Sequence, residues 1–216
     1  MDFKASVDKL SIEEKVRLLT GEDFWTTYAL PNIGLRKMVV SDGPSGVRGE
    51  LWDERSPSLS LPSATAFAST WDRDVLSRVG EVMAHEARSK NVDVVLGPTI
   101  NLHRSPLGGR HFEAYSEDAV LSGKLASAFV NGIQGQGVGA CLKHFIANDA
   151  ETDRHTVNNI LDDETLREVY ALPFEIAVRD SNPWTIMSAY NRVNGPKMAA
   201  SPLLNSMLKE EWGWDG

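Results

Sequence analysis

The sequence predicts an α/β fold built on a parallel sheet, either a barrel or a doubly wound sheet. Two observations predict it. Four short apolar runs, without polar alternation, read as strands buried on both faces. Between them lie apolar residues at helical spacing, so strands alternate with helices along the chain. Successive runs start roughly 50 residues apart, room for one crossover helix and a sizeable loop.

The elements follow in order. Ser11 with Glu14 forms a capping box ahead of Val16, Leu18 and Leu19. Met38-Val39-Val40-Ser41 is the first run, broken by the turn signal Asp42-Gly43-Pro44. Asp72 caps a helix with Val75, Leu76, Val79, Val82 and Met83 at the helical period. The second run, Val92 to Leu96, ends at Gly97-Pro98, and Leu121, Leu125, Phe129 and Ile133 mark the next helix. The third run, Gly139-Ala140-Cys141-Leu142, ends at Lys143-His144. Asp162 opens a helix with Leu166, Val169, Tyr170 and Phe174 on one side. The fourth run, Trp184-Thr185-Ile186-Met187, ends at Ser188-Ala189-Tyr190. Ser201 caps a last helix, with Pro202 at its first position and Gly213 beyond its end.

No Gly-x-Gly-x-x-Gly follows any strand, which removes the usual support for a dinucleotide-binding sheet. Four strand–helix units are about half of an eight-unit barrel, which typically needs roughly 250 residues. The expectation is an incomplete (β/α)8 barrel, with residues 1–216 forming one N-terminal portion undivided by any linker. The ending Trp212-Gly213-Trp214-Asp215-Gly216, a helix stop and a turn, reads as a cut.

Composition bounds the function. At 42% hydrophobic and 24% charged residues, the chain can bury a core without staples. A net charge of −8 argues against an electrostatic nucleic-acid binder or a binder of anionic membranes. The single cysteine, Cys141, excludes an internal disulfide framework and lies in an apolar run, where it packs as core. There is no signal pattern at the N-terminus, no glycosylation sequon, and no apolar run near the roughly 20 residues of a membrane span. A cytoplasmic protein is the expectation. His85-Glu86 resembles the start of a zinc-binding helix, but Ser89 stands where the second histidine belongs. Neither a metal nor a nucleophilic serine elbow is expected.

In a parallel barrel the site forms from the loops after each strand. The first strand end supplies Asp42 and Arg48. The second supplies Asn101 and a long loop, Arg104 to Glu117, that includes Arg110 and Glu113. The third supplies Lys143, His144 and Asn148, with Glu151 and Arg154 beyond, and the fourth Tyr190 and Asn191. A carboxylate, two arginines, a lysine and a histidine on one rim make a donor-rich pocket suited to sugar hydroxyls. In that pocket aspartate accepts hydroxyl protons, while lysine and histidine donate. Plainer readings compete. Asp42 before Gly-Pro also fits a turn residue. Lys143 and His144 also fit a solvated strand end, and Arg110 an anchor for its loop. For Glu113 and Glu117 the surface or loop-bracing reading is favoured. Trp25 and Trp52 lie where a tryptophan can stack on a sugar, although packing accounts for most of the six.

Several motifs then become recognisable. Val40-Ser41-Asp42-Gly43-Pro44-Ser45-Gly46-Val47-Arg48 resembles the first signature of glycoside hydrolase family 3. Pro106-Leu107-Gly108-Gly109-Arg110-His111-Phe112-Glu113 is similar to its second, and Leu142-Lys143-His144-Phe145 to its lysine–histidine strand. Met187-Ser188-Ala189-Tyr190-Asn191 resembles a fourth. The resemblance implies a retaining, exo-acting β-glucosidase built from a barrel and a following α/β sandwich domain. It implies that Asp42 holds hydroxyls at the far side of the terminal sugar. Arg110, Lys143 and His144 would line the same subsite, with Arg48 and Tyr190 beside them.

A retaining glycosidase needs two carboxylates about 5 Å apart and neither metal nor organic cofactor. In the family the nucleophile is an aspartate in a Ser-Asp-Trp strand end, after a Trp-Gly-Phe-Asp-Gly-like segment. Glu211-Trp212-Gly213-Trp214-Asp215-Gly216 matches that lead-in. The nucleophile, and the acid/base glutamate of the second domain, are therefore expected beyond Gly216, with no catalytic residue in these 216. This polypeptide alone is expected to turn over no glycoside. The expected partner is a β-glucoside or oligosaccharide. The alternatives are a non-catalytic sugar-binding fragment and one chain of a split glycosidase completed by a second.

Overall fold

A computed structural model describes residues 3–51 and 53–216, so Trp52 lies outside the described residues. In chain order these form α1 (Phe3–Asp8), α2 (Ile12–Leu18), β1 (Val40–Ser41), α3 (Ala64–Ala68), α4 (Arg73–Ser89) and β2 (Val94–Val95). Then come α5 (Ala119–Gln134), β3 (Gly139–Phe145), β4 (Asn158–Asn159), α6 (Asp163–Thr165) and α7 (Leu172–Ser181). The series ends with β5 (Thr185–Ser188), β6 (Arg192–Val193) and α8 (Leu203–Asn205). A π-helical turn, Leu166–Ala171, joins α6 to α7, and another, Ser206–Glu211, continues α8.

The four apolar runs form one parallel sheet in the order β1-β2-β3-β5. Each strand pairs with the run before it in sequence, as in a barrel wall. A doubly wound sheet would reverse its order at a switch point. The register sets Val40 opposite Val94, Val95 opposite Ala140 and Leu142 opposite Ile186. All seven residues of β3 are buried, because it has neighbours on both sides, whereas every residue of the edge strand β5 is half-buried. Between Lys143 and Phe145 the register shifts, so His144 is an extra residue opposite no partner. Such a bulge bends a strand and re-aims its side chains.

The predicted caps form. Glu14 N–H donates to Ser11 Oγ at 3.2 Å and Ser11 N–H to Glu14 Oε2 at 2.9 Å. Asp72 Oδ1 accepts from the N–H of Asp74 and Val75 at 2.8 and 3.2 Å, Asp162 from Thr165 N–H at 2.7 Å, and Ser201 Oγ from Leu203 N–H at 3.3 Å. Asp118 caps α5 through Leu121 N–H at 2.7 Å.

The buried stripe of α4 is Leu76, Gly80, Met83, Ala84 and Ala87. Val82, expected on that face, is exposed, since it sits about 100° from Met83 around the helix. Val169 is exposed as well, and so are Val16, Leu18 and Leu19 of the capping-box helix. Helices α4 and α5 touch through glycine: a Cβ on Gly132 would run into the Ser77 carbonyl. Below the sheet Phe145 meets Phe174 and Trp212 edge-on, with ring centroids 5.3 and 6.2 Å away. Cys141 is buried and burial pushes its thiol up, which suits packing and not nucleophilic attack. Among the described residues no helix is long and apolar enough to cross a membrane.

Candidate active site

Backbone pairing beyond the short strands builds the site. After β2 the chain stays beside β3: Lys143 N–H donates to Pro98 C=O at 3.1 Å and Ile100 N–H to Lys143 C=O at 2.9 Å. Thr99 bridges both Lys143 and Ala114. The long loop is thereby folded back over the strand ends, which brings Glu113 beside Lys143.

Lys143 is 3% exposed and cannot be a solvated strand end. Its Nζ lies 3.4 Å from Glu113 Oε2 and 3.8 Å from Asp42 Oδ1. Glu113 is equally buried; its Oε2 accepts from Thr99 Oγ1 at 3.0 Å and its Oε1 is in contact with Arg110 Nε. One carboxylate thus lies between an arginine and a lysine, an arrangement that offsets the cost of burying Glu113 and Lys143. The favoured reading of Glu113 as a surface or bracing group is half met: it braces Arg110, but from inside. Glu117 is exposed.

The chain of charges continues. Arg110 Nη1 is 3.9 Å from Glu151 Oε1, and Glu151 Oε2 is 3.1 Å from Arg154 Nε. Asn148 Nδ2 donates to Glu151 Oε1 at 3.3 Å. Asn101, Arg110, Glu113, His144, Asn148 and Glu151 line one small cavity. The buried Asp149 lines it too, held by Arg104 and by Tyr170 Oη at 3.2 Å.

His144 is buried in that wall, and its imidazole is pushed down to about 2, first by loss of water and then by Arg110, Lys143 and Arg154. It is neutral across the working pH range. The other two predicted residues flank the network. Arg48 stacks over Trp25, 4.0 Å from its ring centroid, while its N–H donates to Asp42 C=O at 2.8 Å. Tyr190 is 56% exposed, with Arg154 5.0 Å from its ring centroid and His155 4.7 Å away.

Asp42, Arg110 and Lys143 therefore share one network, with His144 beside it, and Arg48 and Tyr190 border it. Thr99 escaped the sequence reading because Gly97-Pro98 marks a strand stop, whereas pairing with β3 resumes directly afterwards. Among the described residues no cluster of histidine, cysteine and carboxylates has the arrangement of a metal site.

A small polar cavity, lined by Arg110, Glu113, Glu151 and His144 at the C-terminal ends of a parallel barrel wall, defines the class: an α/β-barrel protein with charged side chains gathered over its strand ends. The sequence profile described as "Glycosyl hydrolase family 3 N terminal domain" matches residues 22–216. The chain belongs to glycosyl hydrolase family 3. It is 46% identical over 215 residues to beta-glucosidase B of Emericella nidulans, covering 99% of this chain and 25% of that protein. It is 45% identical to the beta-glucosidase of Kluyveromyces marxianus, whose structure in complex with glucose superposes with a TM-score of 0.96, over 100% of this chain and 26% of that one. Beta-glucosidase 3B of Thermotoga neapolitana, also solved in complex with glucose, gives a TM-score of 0.93 at 43% identity, over 99% of this chain and 33% of that one. The chain spans about a quarter of the length of the curated relatives it matches. The expected (β/α)8 architecture, incomplete within these residues, is the architecture found.

Proposed function

We propose that the complete protein is a retaining, exo-acting β-glucosidase in which these residues bind the terminal sugar. The observation that carries the reading is the Asp42–Lys143–Glu113–Arg110 network, with neutral His144 beside it, on the strand ends of a family 3 barrel. A sugar hydroxyl both donates and accepts, and Lys143 and Arg110 donate while Asp42, 47% exposed at its side chain, accepts. Arg48 and Tyr190 border the subsite from either flank. Two relatives of the chain were solved with glucose, which supports glucose as the sugar.

Each carboxylate of the network is already engaged by a cation. Glu113 is held by Arg110 and Lys143, Glu151 by Arg154, Asp149 by Arg104, and Asp42 lies within reach of Lys143. The catalytic pair is assigned to the rest of the protein, in accord with relatives that carry this segment as a quarter of one polypeptide. The same observation supports a single longer chain over a split enzyme. A cytoplasmic location rests on the sequence alone.

The test is hydrolysis of an aryl β-glucoside by the complete protein, with the product anomer followed by NMR. Release of the β-anomer first, and no turnover by residues 1–216 alone, is the expected result. Inversion, cleavage inside a long oligosaccharide, or turnover by the short chain would overturn it.

A further inference from the structure

His144 is the bulged residue of β3, so the ladder to β5 provides no partner for it. Its backbone is satisfied by one side chain instead. Asn101 Nδ2 donates to His144 C=O at 2.9 Å, and Asn101 Oδ1 accepts from His144 N–H at 2.9 Å. These two bonds settle which end of the amide is oxygen, because a backbone N–H only donates and a carbonyl only accepts. The same Oδ1 lies 3.3 Å from His144 Nδ1. An amide oxygen has no proton to give, so this contact is a hydrogen bond only when Nδ1 carries the hydrogen. Burial first, and then the positive charge of Arg110, Lys143 and Arg154, keeps the ring from taking a second proton. Among the described residues nothing hydrogen-bonds Nε2.

We propose that Asn101 is a positioning residue that fixes His144 as its Nδ1–H tautomer, so that Nε2 meets the bound sugar as a hydrogen-bond acceptor. This rests on the sugar-binding reading above. It reverses the role the residue type suggests, since a histidine among sugar hydroxyls is readily taken as a donor. It also gives the site a neutral acceptor beside the carboxylates Glu113, Asp149 and Glu151 that line the same cavity. The hydroxyl facing Nε2 must donate, which leaves its oxygen free to accept from a neighbouring cation.

Neutron diffraction from crystals of the complete protein with glucose reads this directly. Deuterium on Nδ1, none on Nε2 and a sugar O–D aimed at Nε2 is the expected result. Deuterium on Nε2 overturns the proposal. Glucose absent from the cavity would sink the sugar reading, while the tautomer is still read from ligand-free crystals. The structure also identifies the hydroxyl to replace. Its deoxy and deoxyfluoro analogues should both bind the wild type about tenfold more weakly than glucose, because fluorine cannot donate. In Asn101→Asp the new carboxylate favours the imidazolium, Nε2 becomes a donor, and the fluoro analogue should bind more tightly than the deoxy one. A purely structural role for Asn101 would weaken both analogues alike. If that variant does not fold, a fluoro analogue that binds the wild type as tightly as glucose still overturns the proposal.

Discussion

Arginine meets a carboxylate at both ends of the sheet, with opposite results. Before β2, Asp93 receives Arg36 in a fork, at 2.6 and 2.8 Å, and also the Val39 N–H at 2.8 Å. Arg36 is 71% exposed at its side chain, so both partners keep water and the pair closes on itself. It ties the start of one strand to the start of the next and has nothing left to offer. At the other end Glu113, at 5% side-chain exposure, is divided between Arg110 and Lys143. Neither cation is used up: Lys143 also lies 3.8 Å from Asp42, and Arg110 lines the cavity. A closed pair staples a scaffold. A shared one holds donors in readiness for a ligand, and is the more fragile because Glu113 and Lys143 lack water to fall back on.

The largest expected effect tests that fragility. Glu113→Gln leaves buried Lys143 and half-buried Arg110 without their common counter-charge. It should cost the complete protein about 3 kcal/mol in denaturant unfolding, with loss of aryl-glucoside turnover. A cost below that of an exposed pair would erase the distinction drawn between the two ends. Next, Gly132→Ala forces α4 away from α5, far from either charge cluster, and should cost about 2 kcal/mol while glucose affinity of the folded protein is unchanged. A changed affinity would mean that the cluster depends on the helical layer more than its strand-end hydrogen bonds suggest.

The smallest effect concerns Asp93→Asn, expected to cost about 1 kcal/mol at neutral pH. Arg36 and the Val39 N–H hold the Asp93 carboxyl below its usual range. Its ionised form is favoured by folding, so its contribution is present above the ordinary carboxylate value, near pH 4, and fades as the pH falls below it. Wild type and variant should therefore converge in acid unfolding curves, and a gap that widens there would contradict the assignment.

Much of this scaffold was legible in the sequence, because its signals are local. Apolar runs gave the strands, and Ser11, Asp72, Asp162 and Ser201 marked helix starts through hydrogen bonds spanning two or three residues. The sharing of Glu113 was not legible, since it depends on a loop folding back to set Thr99 beside both Lys143 and Ala114. The bulge at His144 was hidden for a similar reason: a run of buried residues in one strand does not reveal a slip relative to its neighbour. Exposed Val82 and Val169 show the limit of periodicity, which places a stripe on a helix to within about one residue.

The order of the sheet has a consequence for how the protein is made. Each strand of β1-β2-β3-β5 lies against the one synthesised before it, and successive crossover helices α4, α5 and α7 pack in sequence. A nascent chain can therefore lengthen its wall one unit at a time, with no late segment threading between earlier ones. The charge network is laid down in the same progression: Asp42 emerges first, Arg110 and Glu113 follow, and Lys143, which lies between the two carboxylates, arrives last.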